Sequence, residues 1–414
     1  VSRGLGDVYK RQHIYCDVVI AGCGVAGLYT ALNLPEDLHV LMICKEDMDT
    51  CDSMLAQGGI CVLRGEDDYE PYFEDTMRAG HYENRKESVD LMIRTSPDII
   101  RHLLELGVGF DKNPDGSLKY TKEGAHSRPR ICFHEDITGK AITTVLQERT
   151  AALPNVDIME YTVMTDILTA NGACAGIQAR TRDNSTLFIH ARDTVMATGG
   201  IGGLYQHSTN FPCLTGDALT VARKHGVKLE HLDYVQIHPT SLYTEKPGRS
   251  FLISESARGE GAVLLNGKGE RFVNELLPRD AVSQAIEAEM KKEGSCHVWL
   301  SFAPIPQKTI REHFPHIYET CLEEGYDITK EPIPVVPAQH YFMGGVWVDL
   351  DSRTSMEHLY AVGETSCNGV HGKNRLASNS LLESLVFAGK AAKRIENSQK
   401  GRIHYESNYH AAYC

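Results

Sequence analysis

A glycine-rich turn near the start of the chain has the spacing that is needed to bind a phosphate group. Gly22, Gly24 and Gly27 form a G-x-G-x-x-G pattern directly after the apolar run 16–21. In such a turn, backbone N–H groups and the N-terminus of the following helix point at an anion. A tight turn alone would also account for the glycines, but the strand before and the helix after them favour a site for the pyrophosphate of a dinucleotide.

Segments near the other end of the chain complete this site. The apolar run 359–362 leads into Gly363 and Glu364, and Ser380 and Glu383 have the spacing of a capping box that starts a last helix. Glu364 is either a partner of a sugar hydroxyl or a surface acid. A site made from both ends of a chain implies one folded unit with a second part inserted in the middle.

The composition excludes several classes of protein. The chain has 414 residues and a net charge of −13, which allows two domains and argues against a general nucleic-acid or anionic-membrane surface. No apolar run is long enough to cross a bilayer, and residues 1–12 lack the apolar core of a secretory signal. The 12 cysteines include no C-x-x-C pair. We therefore expect a cytoplasmic protein with free thiols and no metal site.

The hydrophobic pattern around the turn predicts a βαβ unit. A buried strand over residues 39–44 follows a helix that starts near Ala26. The acid that would hold the ribose of NAD is missing after this strand, where Lys45 stands instead. This absence argues against a nicotinamide enzyme.

The rest of the chain alternates between helical and strand patterns. The periodicity predicts helices over 88–106 and 138–152, strands over 164–170, 173–180 and 186–191, and a separate buried strand over 194–200. Between His231 and Tyr341, polar loops, a helix over 279–292 and a proline cluster indicate an inserted second domain.

Eight short motifs occur in one order along the chain: G-C-G-V-A-G, A-Q-G-G, A-T-G-G, H-P-T, R-G-E-G-A, P-R-D, G-G-V and N-R-L-A-S-N-S-L-L-E. In these motifs, over residues 14–410, the chain resembles the succinate dehydrogenase and fumarate reductase flavoprotein family. Within that family it looks most like the branch that oxidises L-aspartate. The resemblance implies an α/β fold, in which a Rossmann-like FAD-binding domain carries an inserted α+β capping domain and the family's C-terminal helical domain is absent.

The resemblance also implies the domain boundaries and the way in which the cofactor is held. We expect a leader foreign to the fold at 1–12, the FAD-binding domain at 13–231 and 342–414, and the capping domain at 232–341. FAD is expected to be non-covalent, because Asp52 stands where succinate enzymes carry the histidine that is attached to it. The implied FAD-binding residues are Gly22, Cys23, Gly24, Val25, Ala26, Gly27, Lys45, Asp52, Ser53, Met54, Leu55, Ala56, Gln57, Gly58, Gly59, Met164, Asp217, Glu364, Ser380 and Leu381. Asp217 has a local alternative as the acid that caps a helix.

A small dicarboxylate is the substrate that the resemblance implies. Arg375 can give a bidentate fork to one carboxylate, and His238, His340 and Ser254 are further expected donors. For each histidine alone, a structural role would be the simpler interpretation. Only the surrounding motifs single out these two among 19 histidines.

Three charged residues are expected to complete the chemistry. Glu123 lies in a loop where the L-aspartate branch carries a glutamate, and a carboxylate is the group that pairs with an ammonium. The resemblance makes Arg279 the proton donor or acceptor at the substrate carbon opposite the flavin. Its alternative is an exposed arginine at a helix end. Because arginine stays protonated, Glu255 and Asp280 are candidates for a proton relay.

These residues together predict FAD-dependent oxidation of L-aspartate to iminoaspartate. Dioxygen or fumarate would reoxidise the flavin, and quinolinate synthase is a candidate recipient of the product in the first step of NAD synthesis. Three alternatives stay open at this point. They are a soluble fumarate reductase or succinate dehydrogenase of the same fold, a nicotinamide-dependent dehydrogenase, and a flavin-binding fragment without catalytic activity.

Overall fold

The structure of the chain is a computed structural model that describes residues 12–246 and 248–399. The predicted leader at 1–12 and the predicted absence of a C-terminal domain lie outside the described residues, except that Gln12 belongs to the first strand. Strand β1 begins at Gln12, two residues before the predicted strand start at Ile14.

The strands of the described residues are, in chain order, β1 (Gln12–Ala21), β2 (Val40–Ile43), β3 (Ile60–Cys61), β4 (Ile131–Cys132), β5 (Val156–Met159), β6 (Thr162–Ala170), β7 (Ala173–Thr181), β8 (Thr186–Met196), β9 (Leu229–Glu230), β10 (Val235–Leu242), β11 (Val263–Leu265), β12 (Val298–Ser301), β13 (Ile333–Phe342), β14 (Gly345–Trp347), β15 (Leu359–Ala361) and β16 (Ser366–Cys367).

The helices of the same residues are α1 (Val25–Leu32), α2 (Glu66–Ala79), α3 (Lys86–Leu106), α4 (Thr138–Ala151), α5 (Asp217–Lys224), α6 (Glu255–Gly259), α7 (Arg279–Glu293), α8 (Gln307–His313), α9 (Pro315–Glu323) and α10 (Ser380–Gln399). The predicted helices over 88–106, 138–152 and 279–292 correspond to α3, α4 and α7 within two residues at each end.

A seven-stranded sheet carries the glycine-rich turn. Its order is β5-β2-β1-β8-β7-β6, and β15 pairs with the last residues of β8. Strands β5, β2, β1, β8 and β15 are parallel, while β7 and β6 form the predicted antiparallel meander. The inner half of β1, residues 18–21, is fully buried, as expected for an apolar run in a sheet that is covered on both faces.

The prediction of two strands over 186–191 and 194–200 was wrong, because β8 is continuous from Thr186 to Met196. The polar pair Arg192 and Asp193 interrupts the apolar pattern in the sequence. In the structure Asp193 is buried and its carboxylate lies 3.0 Å from His358 Nδ1, so the strand continues through it. The first half of β8 then pairs with β7 and the second half with β15.

Residues 235–342 build a separate antiparallel sheet with the order β10-β13-β12-β11. An apolar cluster of its own packs α7, α8 and α9 against this sheet. Strand β13 contains Pro334 and Pro337, although proline cannot donate to a strand ladder. The β10–β13 register shifts between His238 and Ser241, opposite Pro337, so the missing donor falls at an irregularity.

Helices α1, α3, α4 and α10 cover one face of the seven-stranded sheet and share its larger apolar cluster. The 11 cysteines among the described residues are free thiols. No helix within 12–246 or 248–399 is long and apolar enough to span a membrane.

Candidate active site

A long cavity lies where the carboxyl ends of β1, β2 and β8 face the four-stranded sheet. Its empty space, counted out to the open mouth, is about 1740 Å³. All seven predicted substrate residues line it, and so do all predicted FAD residues except Gly27 and Met54. The structure therefore brings together residues from both ends and from the middle of the chain.

The glycine-rich turn at one wall of the cavity has the geometry of a phosphate-binding loop. Gly22 has a φ of +119°, and a Cβ there would lie 2.0 Å from the Ala197 carbonyl oxygen. A Cβ on Gly27 would lie 2.1 Å from the Gly22 oxygen, so this glycine serves close helix packing instead of lining the cavity. Helix α1 starts at Val25, whose N–H donates to Ser53 Oγ at 3.1 Å. Backbone donors and a helix N-terminus thus face the cavity together.

Two predicted FAD residues, Lys45 and Asp217, contact each other at the same end of the cavity. Lys45 Nζ lies 2.8 Å from Asp217 Oδ2 and donates to Thr215 Oγ1 at 2.9 Å. Asp217 opens α5 without capping it, so the capping alternative is not what the structure contains. Glu46 also lines the cavity. A carboxylate therefore follows directly after Lys45, the position where the ribose-binding acid of an NAD site was missing.

Polar atoms without partners face the middle of the cavity. Asp52 Oδ1 accepts from the Phe211 N–H at 2.9 Å, whereas Asp52 Oδ2 and Gln57 Oε1 have no hydrogen-bond partner in the described part of the chain. Burial raises the pKa of Asp52 to about 7. Burial, with the charge of Asp52 second, raises the pKa of Glu364 to about 8. Orphaned polar atoms beside a phosphate-binding turn fit a polar ring system with hydroxylated linkers, which is the chemistry of FAD.

The predicted capping box at Ser380 and Glu383 is not formed. Ser380 Oγ accepts from Arg375 Nη1 at 2.8 Å, and the Glu383 carboxylate accepts a short hydrogen bond from Asn368 Nδ2. Both side chains are therefore used by distant residues instead of by the first turn of α10. Burial raises the pKa of Glu383 to about 7.

Arg375 is a buried cation that lines the cavity and has no carboxylate partner within 12–246 or 248–399. Its side chain is 5% exposed, and Nε has no hydrogen-bond partner among the described residues. Its guanidinium lies 4.4 Å from the centroid of the Tyr341 ring. Burial, and then the charge of Arg279, lower its pKa to about 10. A bound carboxylate would relieve both effects.

His238 and His340 lie next to each other, with ring centroids 5.1 Å apart. His238 Nδ1 accepts from the Thr240 N–H at 3.2 Å, so the neutral ring carries its proton on Nε2, which has no partner in the described structure. Burial, and then the charge of Arg279, lower the pKa of both rings well below the ordinary value. Both rings are therefore neutral, and His238 offers an N–H donor instead of positive charge.

Two side chains hold Arg279 at the start of α7. Its Nε donates to Glu255 Oε2 at 2.5 Å, and its Nη1 donates to Gln236 Oε1 at 2.8 Å. Arg258 Nη2 lies 3.5 Å from the same Glu255 oxygen, so one carboxylate serves two buried arginines. Asp280 does not contact Arg279 and binds His81 and Asn374 instead, which leaves Glu255 as the relay candidate in contact.

Glu123 is a second buried acid of this cavity near Glu255 and Arg279. It is 3% exposed and accepts from Ser256 Oγ at 2.9 Å and from Ser378 Oγ at 2.5 Å. Burial, and then the nearby Glu255, raise its pKa, while Arg279 and the two hydroxyls act in the opposite direction. Ser254 is the N-cap of α6 and lines the cavity beside it.

Sequence reasoning missed several residues of the cavity. Arg249 and Thr209 line it, and Thr209 Oγ1 lies 2.7 Å from His340 Nδ1. Gln236 joins Arg279 to the Asn374 side chain and the Arg375 carbonyl. Gln236 stands two residues before His238, so the flank of that motif was a usable signal. Arg249 sits in a polar loop without any motif.

Comparison with known proteins agrees with this geometry. The sequence profile of the FAD binding domain family matches residues 17–381. The L-aspartate oxidase of Clostridium perfringens is 51% identical over 382 residues, which cover 92% of this chain and 87% of that protein. The enzyme of the same name from Clostridium acetobutylicum is 47% identical over 94% of this chain and 89% of that protein.

This chain belongs to the L-aspartate oxidase family of FAD-binding flavoproteins. The fold of the family extends to fumarate reductases. The FrdA chain of E. coli quinol fumarate reductase superposes with a TM-score of 0.87 at 31% identity, over 95% of this chain and 72% of that one. A quinol-fumarate reductase with menaquinol molecules superposes with a TM-score of 0.88 at 32% identity, over 95% of this chain and 73% of that chain. The predicted family, α/β fold and FAD cofactor are confirmed.

Proposed function

We propose that this protein oxidises L-aspartate to iminoaspartate with FAD, as the first step of NAD synthesis. One observation carries the proposal: a buried carboxylate, Glu123, shares a cavity with two buried arginines, Arg375 and Arg279. L-Aspartate has two carboxylates and one ammonium group, so it can offer a carboxylate to the arginines and its ammonium to Glu123, while Glu255 stays paired with Arg279. A dicarboxylate without an amine would leave Glu123 unpaired.

The arginines and histidines are proposed to hold the two carboxylates of the substrate. In the part of the chain that the structure describes, Arg375 Nε and His238 Nε2 have no hydrogen-bond partner. Hydrogen bonds to charged groups are worth about 1.5–3 kcal/mol each when they are desolvated. Ser254, which lines the same wall, is proposed as a further donor to a carboxylate.

Arg279 and Glu255 are proposed to move the proton of the reaction. Since arginine keeps its proton near neutral pH, a proton that Arg279 gives or takes must be exchanged with a neighbour. Glu255 Oε2, which accepts from Arg279 Nε at 2.5 Å, is in place for that exchange. The chemistry that bound FAD supplies is the acceptance of two electrons with the Cα hydrogen.

The proposal extends to the cofactor site, the acceptor and the product. The residues of the glycine-rich turn, the 52–59 loop, Glu364 and the start of α10 are proposed to hold FAD without a covalent bond, because Asp52 offers no imidazole. Dioxygen or fumarate is proposed to take the electrons. Imines hydrolyse in water, so quinolinate synthase is proposed as the protein that receives the product. The free thiols fit a cytoplasmic location.

Glu123→Gln tests the proposal by separating amine recognition from dicarboxylate binding. The amide keeps the shape but cannot pair with an ammonium, so the KM for L-aspartate should rise by about 10²-fold, as expected for the loss of a desolvated charge pair. The inhibition constant for succinate, which has no amine, should change by less than about threefold. Both constants are measured by the loss of flavin colour under anaerobic conditions.

Asn113→Asp is the matched control. It exchanges an amide for a carboxylate, the reverse of Glu123→Gln, at an exposed position. It should leave both constants unchanged. Equal losses for L-aspartate and succinate in the Glu123 variant would reject the pairing of Glu123 with the ammonium. Reduction of the wild-type flavin by succinate but not by L-aspartate would reject the proposed substrate.

A further inference from the structure

Two serine hydroxyls hold the Glu123 carboxylate, one on each oxygen. Ser256 Oγ donates to Oε1 at 2.9 Å, and Ser378 Oγ donates to Oε2 at 2.5 Å. Ser256 belongs to helix α6, whereas Ser378 stands just before α10, 255 residues away from Glu123 in the sequence. The carboxylate is therefore held by two elements that lie far apart along the chain.

The surroundings leave the carboxylate little freedom. A Cβ on Gly58 would lie 2.3 Å from Glu123 Oε1, so the carboxylate fills the space that this glycine leaves open. Ser256 is itself held by Ser254, whose Oγ lies 3.1 Å from the Ser256 Oγ and accepts from the Ser256 N–H at 3.2 Å. A carboxylate has about four acceptor positions, so two are left for a ligand in the cavity.

Two buried arginines also act on the Glu123 carboxylate. Arg258 is 2% exposed, and its Nε and Nη2 have no hydrogen-bond partner among the described residues. Arg258 and Arg279 both attract Glu123 electrostatically. Glu255, which faces both arginines, repels Glu123, so without the two hydroxyls these opposing charges would decide where the carboxylate lies.

We propose that Ser256 and Ser378 are positioning residues that aim Glu123 at the substrate ammonium and so determine the preference for an amino dicarboxylate. This inference rests on the proposed function, because it assumes that Glu123 meets an amine. The serines act through Glu123; Ser378 lines the cavity and Ser256 does not, so Ser256 is the residue that reports positioning without a direct contact to the substrate. Their removal should therefore affect amine recognition and leave dicarboxylate binding intact.

The test compares Ser256→Ala, Ser378→Ala and the double variant in the flavin-loaded protein. Each single variant should raise the KM for L-aspartate about tenfold, which corresponds to about 1.4 kcal/mol. The inhibition constant for succinate should stay within about twofold, and kcat should fall by less than the KM rises. Ser256→Thr keeps the hydroxyl and should restore most of the KM. Ser378 has a φ of +62°, which disfavours a β-branched residue, so the rescue is made at Ser256.

Ser241→Ala is the matched control. Ser241 is fully buried in β10, does not line the cavity, and its Oγ has no partner in the described structure. This variant should match the wild type in both constants. If Ser378→Ala fails to fold, the KM for L-aspartate and the inhibition constant for succinate in Ser256→Ala test the proposal by themselves.

Two results would overturn the positioning role. One is an unchanged KM for L-aspartate in both single variants, and the other is an equal loss for L-aspartate and succinate, which a purely structural defect would produce. Failure of the proposed function gives a different pattern, because then Glu123→Gln itself would not distinguish the two ligands.

Discussion

Arg375→Met separates the role of this arginine in binding from its role in stability. Methionine keeps an unbranched apolar side chain against the Tyr341 ring and removes the charge and the donors. We expect the variant to keep FAD and lose binding of dicarboxylates. We also expect it to be as stable as the wild type in the absence of a ligand, although a buried arginine has been removed.

The expected change in folding stability follows from the surroundings of the Arg375 guanidinium. Burial, and then the charge of Arg279, lower the pKa of Arg375 to about 10. At about 1.4 kcal/mol per pKa unit, the ligand-free protein holds this cation at a penalty of about 3 kcal/mol. The contact with Tyr341 returns about 1–2 kcal/mol and the hydrogen bond to Ser380 about 1 kcal/mol. Arg375→Met removes both the penalty and these favourable contacts, so the free energy of unfolding should change little.

Arg130→Met is the contrasting variant. Arg130 is as buried as Arg375, but it is paired with Asp68 at 2.9 Å and with Asp75 at 2.8 Å. Burial lowers its pKa, yet these carboxylates outweigh burial and the net shift is upward. Breaking a buried pair of this kind costs about 3–5 kcal/mol.

Thermal unfolding and flavin titration measure the two variants. Arg375→Met should keep its Tm within about 3 °C of the wild type, while its affinity for L-aspartate and succinate falls by about 10²-fold or more. Arg130→Met should lower the Tm clearly. The reasoning fails if Arg375→Met unfolds as early as Arg130→Met, or if it still turns over L-aspartate at the wild-type KM.

Two further predictions concern buried carboxylates. Glu255→Gln should lower kcat by about 10²-fold or more, because Arg279 loses the group with which it exchanges a proton, while succinate still binds. Stopped-flow reduction of the flavin measures this, and an unchanged rate would exclude the relay. Burial, with Asp52 second, raises the pKa of Glu364 to about 8, so the folded flavin-free protein keeps a proton that the unfolded chain releases near its ordinary pKa of 4.5. The stability of the flavin-free protein should therefore fall as the pH rises from 4.5 to about 8. Glu364→Gln should reduce this fall in Tm. An identical pH dependence in the variant would show that Glu364 is not protonated in the folded protein.

The cofactor half of the fold was predictable because its geometry requires particular residues. Gly22 and Gly27 make close backbone contacts that a Cβ would prevent, and the buried strands around them are continuous apolar runs. The split of β8 was a wrong prediction because the sequence cannot show that the buried carboxylate of Asp193 has His358 as its partner. The capping box was wrong for the same kind of reason, since Ser380 serves Arg375.

The identity of the cavity residues was easier to predict than their pairing. The motifs brought out Arg279, Glu255 and Glu123, which all line the cavity. Their partners Gln236 and Ser378 come from other parts of the chain, and hydrogen bonds between distant residues leave no periodic signal. Only the three-dimensional arrangement relates Ser378 to Glu123 across 255 residues.

Anaerobic titration of the flavin-loaded protein with L-aspartate tests the central claim most directly. The yellow flavin should be bleached by L-aspartate, with one equivalent of iminoaspartate formed for each flavin, and dioxygen or fumarate should restore the colour. Succinate and NADH should leave the flavin oxidised on the same timescale. A flavin that stays oxidised with L-aspartate but is bleached by succinate or NADH would contradict the account.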